Sequence, residues 1–211
     1  MDANFWRQKW EQGDIAFHQP QVEPALVAHL AQFTLPTKAT IFLPLCGKTL
    51  DIAWLQQQGY RIVGAELSEL AIEQLFQSLD ITPEITKFPQ HSRYRAKDIE
   101  IWVGDLFDLH AEMLGTVDFV YDRAALVALP AQIRPRYAAH LRHITAKAPQ
   151  LLISFEYEQH LYPGPPFSVT AAEIQQLYGE HYQLNLLSHQ DRVATLKNKT
   201  PASIRCWQLR C

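Results

Sequence analysis

The sequence predicts an α/β protein built on a mostly parallel sheet, and three observations support this fold class. Apolar strand patterns alternate with helical patterns through the middle of the chain, which is typical of consecutive βαβ units. Residues 41–66 form the clearest of these units. The chain has 211 residues, of which 47% are hydrophobic, enough for a buried core. We therefore expect one domain over residues 1–211.

The unit at residues 41–66 ends on a carboxylate. Glu66 lies nineteen residues after Gly47, about the spacing at which a dinucleotide-type unit places the acid that binds ribose hydroxyls. The parts of this unit are a strand at 41–43, a loop at 44–48, a helix at 49–58 and a second strand at 61–65.

The loop at 44–48 contains a single glycine, Gly47. A dinucleotide fingerprint needs three glycines so that the backbone can approach a pyrophosphate. A P-loop needs a glycine five residues before Gly47, where Phe42 stands. The pattern favours a cofactor that has a ribose and no pyrophosphate. Spacing alone leaves open that Gly47 only turns the chain and that Glu66 is a solvated carboxylate.

Bulk composition narrows the classes of function. A net charge of −3 and a pI near 6.3 argue against a large phosphate-binding surface, so we expect no nucleic-acid partner. Three cysteines without metal-ligand spacing suggest neither a disulfide framework nor a metal site, and indicate a reduced cytoplasmic setting. The sequence shows no signal peptide and no long apolar run. We expect a monomer that binds small molecules and no membrane.

Periodicity and capping signals place the other elements. Residues 82–95 have mixed polarity and two prolines, so we expect a long connection there. The predicted helices are Phe5–Glu11, Val22–Gln32, Ser68–Leu79, Arg134–Ala146 and Thr170–Tyr178, and the remaining strands are Ile99–Val103, Val117–Tyr121, Gln150–Phe155 and an antiparallel pair at Gln183–Ser188 and Ile204–Leu209.

Candidate site residues follow from the ends of these strands. In an open parallel sheet, ligands bind outside the carboxyl ends of the strands. This rule selects Leu45, Glu66, Asp105 and Arg123. Asp105 and the neighbouring Asp122 have an alternative role as caps of turns or helices. Arg123 precedes an apolar run, which favours a ligand or a partner for its guanidinium.

A set of motifs runs along almost the whole chain in one order: Trp6 with Trp10, Ala16–Gln19, Phe42–Lys48, Val63–Ser68, Tyr121–Val127 and Pro163–Phe167. With these motifs the chain resembles the thiopurine S-methyltransferase family. The resemblance implies a class I methyltransferase fold, which is a Rossmann-like three-layer sandwich with a seven-stranded, mostly parallel sheet and antiparallel C-terminal strands. It also implies an N-terminal helical lid over about residues 1–35, and S-adenosylmethionine as the methyl donor.

The resemblance also implies roles for individual residues. The acceptor pocket is implied at Phe17 and at Pro165–Pro166. The stretch 191–200 departs from the family pattern and leaves an acceptor-contacting arginine without a clear match, with Arg192 as the candidate. For the cofactor, Trp10 and Trp6 would cover it, Leu45 would contact its methionine end through the backbone, Glu66 would bind the ribose, Asp105 and Leu106 would flank the adenine, and Arg123 would lie near cofactor and acceptor.

The implied reaction is methyl transfer to the sulfur of aromatic or heterocyclic thiols, and the resemblance extends it to selenium or tellurium compounds in detoxification and metalloid resistance. In-line transfer from a sulfonium needs no covalent enzyme nucleophile, so we interpret Cys46 as a small buried residue. We assign no catalytic residue. His18 is the candidate base, with a hydrogen-bonded structural histidine as the alternative.

Three alternative functions stay open at this point. Gly164–Phe167 resembles the Asn/Asp-Pro-Pro-aromatic motif of enzymes that methylate exocyclic amines, but that motif should follow the fourth strand. A nicotinamide-dependent oxidoreductase fits the βαβ unit but lacks its glycines. A cofactor-binding module without activity is the third, and it is disfavoured because Glu66 and Arg123 are both present.

Overall fold

The computed structural model of the chain describes residues 3–196 and 199–211. The chain divides into two compact units, Met1–Phe119 and Val120–Cys211. The single domain and the N-terminal lid over about residues 1–35 stay predictions.

From residue 3 onward, the first unit contains five complete strands in the order β3-β4-β5-β2-β1. The pairs β1–β2 and β2–β5 are parallel, and β3–β4 and β4–β5 are antiparallel. Its strands are β1 (Thr40–Leu43), β2 (Arg61–Glu66), β3 (Glu84–Lys87), β4 (Ser92–Ala96) and β5 (Ile99–Val103), and its helices are α1 (Ala3–Glu11), α2 (Pro24–His29), α3 (Asp51–Gln57), α4 (Glu69–Ser78) and α5 (Ala111–Leu114).

The parallel strands of this unit are buried apolar runs, and such runs are the pattern that predicts buried strands from sequence. All four residues of β1 and the last five of β2 are buried. Gly64 in β2 is required by close packing, since a Cβ there would lie 2.6 Å from Ile101 Cδ1 and 3.0 Å from Cys46 Sγ. The loops that the sequence predicted to be functional follow the carboxyl ends of β1, β2 and β5.

The structure corrects two expectations about the strands. The sheet has nine strands within residues 3–196 and 199–211, so the count of seven is wrong. Residues 82–95 contain the hairpin β3–β4 rather than a long connection. Three of the four residues of β3 are exposed, and Ile85 remains 48% exposed. An edge strand of this kind shows no clear apolar alternation, which explains why the sequence pattern did not predict it.

The second unit has the strand order β6-β7-β9-β8, with β6–β7 parallel and the later pairs antiparallel. The first residue of β6 belongs to the first unit. Thr170 caps the last helix as predicted, because its hydroxyl accepts a bond from Glu173 N. The elements are β6 (Phe119–Arg123), α6 (Arg134–Ile144), β7 (Gln150–Glu156), α7 (Ala171–Tyr178), β8 (Gln183–Thr195) and β9 (Pro201–Arg210).

Candidate active site

Glu66, the last residue of β2, bonds to the loop that follows β1 and to the residues that follow β2. Its side chain is buried, and Oε2 accepts a hydrogen bond of 2.8 Å from Gly47 N. Oε1 accepts bonds from Leu67 N at 2.8 Å and Ser68 N at 2.9 Å. Burial raises the pKa of Glu66, while these three backbone donors act to lower it. A carboxylate accepts about four hydrogen bonds, so Oε2 keeps capacity for one more donor.

The loop after β1 is fixed by backbone geometry. Cys46 N donates to Ala65 O at 2.9 Å, which ties the loop to β2. Leu45 and Gly47 both have positive φ, 48° and 53°. A Cβ on Gly47 would lie 3.0 Å from Trp10 Cζ2, so the glycine is needed both for its φ and for the approach of the indole ring. Gly47 thus turns the chain and packs against Trp10, and the part of the alternative that makes Glu66 a solvated carboxylate is wrong, because Glu66 is buried.

Trp6, Trp10 and Phe17, which the resemblance places over the cofactor and in the acceptor pocket, form one aromatic cluster. Phe17 makes edge contacts with Trp6 at 5.5 Å and with Trp10 at 5.4 Å between ring centroids. Trp10 is 4% exposed. Lys48 Nζ lies 5.9 Å from the Trp10 ring, within cation–π range. The cluster thus connects α1 to the loop that follows β1.

Asp105 and Leu106 follow β5. Asp105 Oδ1 accepts from Phe107 N at 2.9 Å and begins a short 3₁₀ helix, so the capping role is confirmed. His91, which the sequence analysis missed, is buried and places Nε2 3.2 Å from Asp105 O. A Cβ on Gly104 would lie 2.4 Å from His91 Cδ2. Only the pairing of β4 with β5 reveals this contact, because His91 lies in the segment predicted to be irregular.

A cavity of about 430 Å³ adjoins these loops within the first unit. It is bordered by residues directly after Glu66, by Gly104 and by the β3–β4 turn, and by α1 on another side. Its size is in the range of small-molecule sites. Its lining residues include Arg7, Leu67, Ser68, His91 and Gly104.

In the second unit, Arg123 ends β6 and is followed by a tight turn in which Ala124 has a φ of 63°. The turn is held by Asp122, which is 0% exposed. Its Oδ1 accepts from Leu126 N at 3.1 Å and its Oδ2 from the Tyr137 hydroxyl at 2.7 Å. Burial raises the pKa of Asp122 to about 6, against the lowering effect of these bonds. Asp122 therefore acts as the cap that the sequence offered as its alternative role.

Pro165 and Pro166 lie in a loop whose carbonyls are bonded within the second unit. The Tyr162 hydroxyl donates to Pro165 O at 3.1 Å, and the Tyr157 hydroxyl donates to Pro166 O at 2.7 Å. Phe167 N donates to Val127 O at 2.7 Å. The predicted acceptor residues of this unit thus occupy a well-defined loop. The side chain of Arg192 lies outside the described part of the structure.

Other chemistries find little support in the described residues. Cys46 is buried, and burial raises the pKa of its thiol well above the usual value, which favours the unreactive thiol form. In residues 3–196 and 199–211 no group of three or more His, Cys, Asp or Glu side chains could hold a metal ion. No helix in the same part of the chain is long and apolar enough to cross a membrane.

Comparison with known protein families decides the assignment. The family model described as thiopurine S-methyltransferase matches residues 1–210. The chain belongs to the thiopurine S-methyltransferase family. Relatives of that name share 43% identity in Gluconobacter oxydans, covering 98% of this chain and 94% of the relative, and 48% in Acinetobacter baylyi, covering 90% and 89%.

Solved structures show the same fold at low identity. A SAM-dependent methyltransferase from Anabaena variabilis has a TM-score of 0.66 at 16% identity, over 99% of this chain and 95% of that one. The magnesium protoporphyrin IX methyltransferase of Synechocystis, with bound SAH, has a TM-score of 0.62 at 15% identity over 100% of both chains. The predicted class I methyltransferase fold is confirmed.

Family membership also confirms the predicted enzyme class and its methyl donor: this is an S-adenosylmethionine-dependent methyltransferase. The expectation of a cofactor with a ribose and no pyrophosphate is thus confirmed. The nicotinamide alternative loses its support, because it depended on the βαβ unit alone.

Proposed function

We propose that this protein transfers the methyl group of S-adenosylmethionine to the sulfur of aromatic or heterocyclic thiols. The observation that carries this proposal is the match of the thiopurine S-methyltransferase family over residues 1–210. Two relatives of that name, at 43% and 48% identity and covered over 94% and 89% of their length, support it.

The residues of the first unit fit an adenosyl group. Glu66 Oε2 retains one acceptor position for a ribose hydroxyl after its bond from Gly47. The cavity next to Ser68 and Gly104 has room for a small ligand. On this geometry we assign the ribose to Glu66. On the resemblance to the family we assign the methionine end to the Leu45 backbone, the flanks of the adenine to Asp105 and Leu106, and the cover to Trp10 and Trp6. The resemblance is also the ground on which we assign a cofactor contact to Arg123 of the second unit.

The bound cofactor supplies an electrophilic methyl group on a sulfonium, so the protein needs to hold an acceptor sulfur in line with it and exclude water. No enzyme nucleophile is needed, in agreement with the buried, protonated Cys46. We propose that the fixed charge of Arg123 favours the thiolate form of the acceptor. Phe17 and Pro166 would provide apolar walls for an aromatic ring. We assign no general base, so the role of His18 stays a prediction.

The test is an acceptor screen with S-adenosylmethionine that measures formation of S-adenosylhomocysteine and identifies the methylated product. Thiophenol and 6-mercaptopurine are compared with phenol and aniline, which have similar shapes but no thiol. We expect methylation of the two thiols only. The proposal would be contradicted if aniline were methylated as fast as the thiols. It would also be contradicted if none of the four compounds were methylated. Selenite and tellurite in the same screen test the wider acceptor range, including metalloid detoxification.

Arg123 variants test the acceptor assignment. Replacement by lysine keeps the charge and loses the planar fork, so oriented binding predicts that kcat/KM for an aromatic thiol falls roughly tenfold to a hundredfold in both Arg123→Lys and Arg123→Ala. If Arg123 acts only through its positive charge, Arg123→Lys should keep a kcat/KM close to that of the parent. Melting temperatures serve as the control. If both variants melt early and the folded fraction keeps parental kcat/KM, Arg123 is structural and its assignment is wrong.

A further inference from the structure

One amide side chain, that of Gln159, bonds to both ends of the loop from Tyr162 to Ser168 in the second unit. Gln159 Nε2 donates to Tyr162 O at 2.7 Å, at the start of the loop. Gln159 Oε1 accepts from Ser168 N at 2.9 Å, at its end. One side chain therefore joins the two ends of the loop that contains Pro165 and Pro166.

The remaining amide hydrogen of Gln159 is also used. Nε2 donates to the Tyr157 hydroxyl at 3.1 Å, and that hydroxyl donates in turn to Pro166 O at 2.7 Å. Tyr157 N donates to Ser168 Oγ at 3.0 Å. Both N–H groups and the oxygen of Gln159 are thus engaged, and the chain of bonds runs from Gln159 to the carbonyl of Pro166.

The end of the loop rests on a rigid base. Arg134 is 2% exposed, and its Nη1 donates to Ser168 O at 3.1 Å and to the carboxylate of Glu173 at 2.7 Å. Its guanidinium lies 5.8 Å from the centroid of the Phe167 ring. A Cβ on Gly164 would lie 2.5 Å from Phe167 Cδ1, so the loop packs closely on its own aromatic residue. Arg134 fixes Ser168, and Gln159 fixes the rest of the loop relative to Ser168.

We propose that Gln159 is a positioning residue that holds Pro165 and Pro166 in place for the acceptor and so sets the affinity for aromatic thiols. The inference rests on the proposed acceptor role of Pro166. Two prolines offer no backbone N–H, and both of their carbonyls are taken up by Tyr157 and Tyr162. The loop can therefore present apolar ring edges to an acceptor without leaving those two carbonyls unsatisfied.

The sharpest variant is Gln159→Glu, which keeps the size of the side chain and removes both donors. The carboxylate would face Tyr162 O, an acceptor, so the bond at the start of the loop is lost. Gln159 is exposed, which limits the effect, and we expect KM for thiophenol to rise about threefold to tenfold with kcat changed less than twofold. The Kd of S-adenosylmethionine, measured by calorimetry, should stay at the parental value.

Two further variants test whether the effect is specific to the bonds of Gln159. Tyr157→Phe removes the hydroxyl that bonds Pro166 O and should raise KM in the same direction. Gln176→Glu makes the same chemical change on an exposed position of α7 and should leave KM unchanged. Hydrogen exchange reports the loop directly, because Ser168 N–H is bonded to Gln159 Oε1. We expect this amide to exchange faster in Gln159→Ala, which removes the acceptor oxygen that a glutamate would keep, and at the parental rate in Gln176→Ala.

Different results would overturn the positioning role of Gln159 and the proposed function. Parental KM in both Gln159→Glu and Tyr157→Phe overturns the positioning role, even if Ser168 exchanges faster. A rise in the Kd of the cofactor that accounts for the lost activity overturns it too. If the parent methylates no thiol, the proposed function itself fails, and the role of Gln159 in acceptor binding fails with it.

Discussion

Glu66 and Asp122 are both buried carboxylates at the carboxyl end of a parallel strand, yet their surroundings differ. Glu66 receives bonds from backbone N–H groups of two loops, including one from Gly47. Asp122 receives a bond from the Tyr137 hydroxyl on helix α6, together with a bond from the turn that follows it. Glu66 therefore joins two loops to each other, whereas Asp122 joins a strand and its turn to a helix.

The two acids differ in how accessible they are to a ligand. Asp122 is 0% exposed and Glu66 is 6% exposed, and Glu66 retains an acceptor position on Oε2. Burial raises the pKa of both, in Asp122 to about 6. The same location in an α/β fold thus has a structural use in one unit and a proposed binding use in the other. Four predictions test this contrast.

The largest effect is expected for Asp122→Ala. The change leaves the Tyr137 hydroxyl and the turn amides buried without their acceptor, so the free energy of unfolding should fall by about 3–5 kcal/mol. Urea unfolding monitored by circular dichroism measures it. Tyr137→Phe is the matched control, because it removes one donor and should cost less. A loss below about 1 kcal/mol in Asp122→Ala would show that the cap is not needed for the fold.

Glu66→Ala should act on binding. Removal of the carboxylate that accepts a ribose bond should weaken the binding of S-adenosylmethionine by about 1.5–3 kcal/mol, as measured by calorimetry. The three backbone donors of Glu66 also lose their acceptor, so we expect a lower melting temperature as well. Glu73→Ala, on an exposed position of α4, should change neither quantity. Unchanged affinity in folded Glu66→Ala protein rules out the ribose assignment.

The pH dependence of stability should carry the signature of Asp122. Because its pKa is raised from 3.8 to about 6 in the folded protein, the folded state keeps the proton that the unfolded state releases first. Its contribution to stability is complete below about pH 4 and is lost as the pH rises to about 6. The difference in unfolding free energy between parent and Asp122→Asn should therefore fall across that window and stay level above it. A level difference across the whole range contradicts the raised pKa.

The smallest effect is optical. Trp10 contacts Phe17 and lies close to Gly47, in the segment proposed to cover the cofactor. Addition of S-adenosylmethionine should change tryptophan emission, and Trp10→Phe should lose most of that change. Trp207→Phe, on strand β9, serves as the control. If the full change persists in Trp10→Phe, the proposed cover does not include Trp10.

Much of the fold follows from the amino-acid sequence alone, whereas the roles of the candidate site residues stay proposals. Strand β2 is a buried apolar run, Ser68 accepts a bond from Ala71 N as a helix cap, and the loop with Gly47 has the predicted form. Each of these depends on the side chain's own burial or on neighbours within a few residues, so residue type and spacing carry the information.

Other features were not predicted from the sequence and became visible only in the tertiary structure. The hairpin β3–β4, the contact of His91 with Asp105 and the bonds of Gln159 to both ends of one loop were all absent from the sequence prediction. These features depend on bonds from side chains to backbone N–H and C=O groups, or on an exposed edge strand. Every residue except proline offers the same backbone donor and acceptor, so no residue type marks the partner in advance. Only the folded chain selects it.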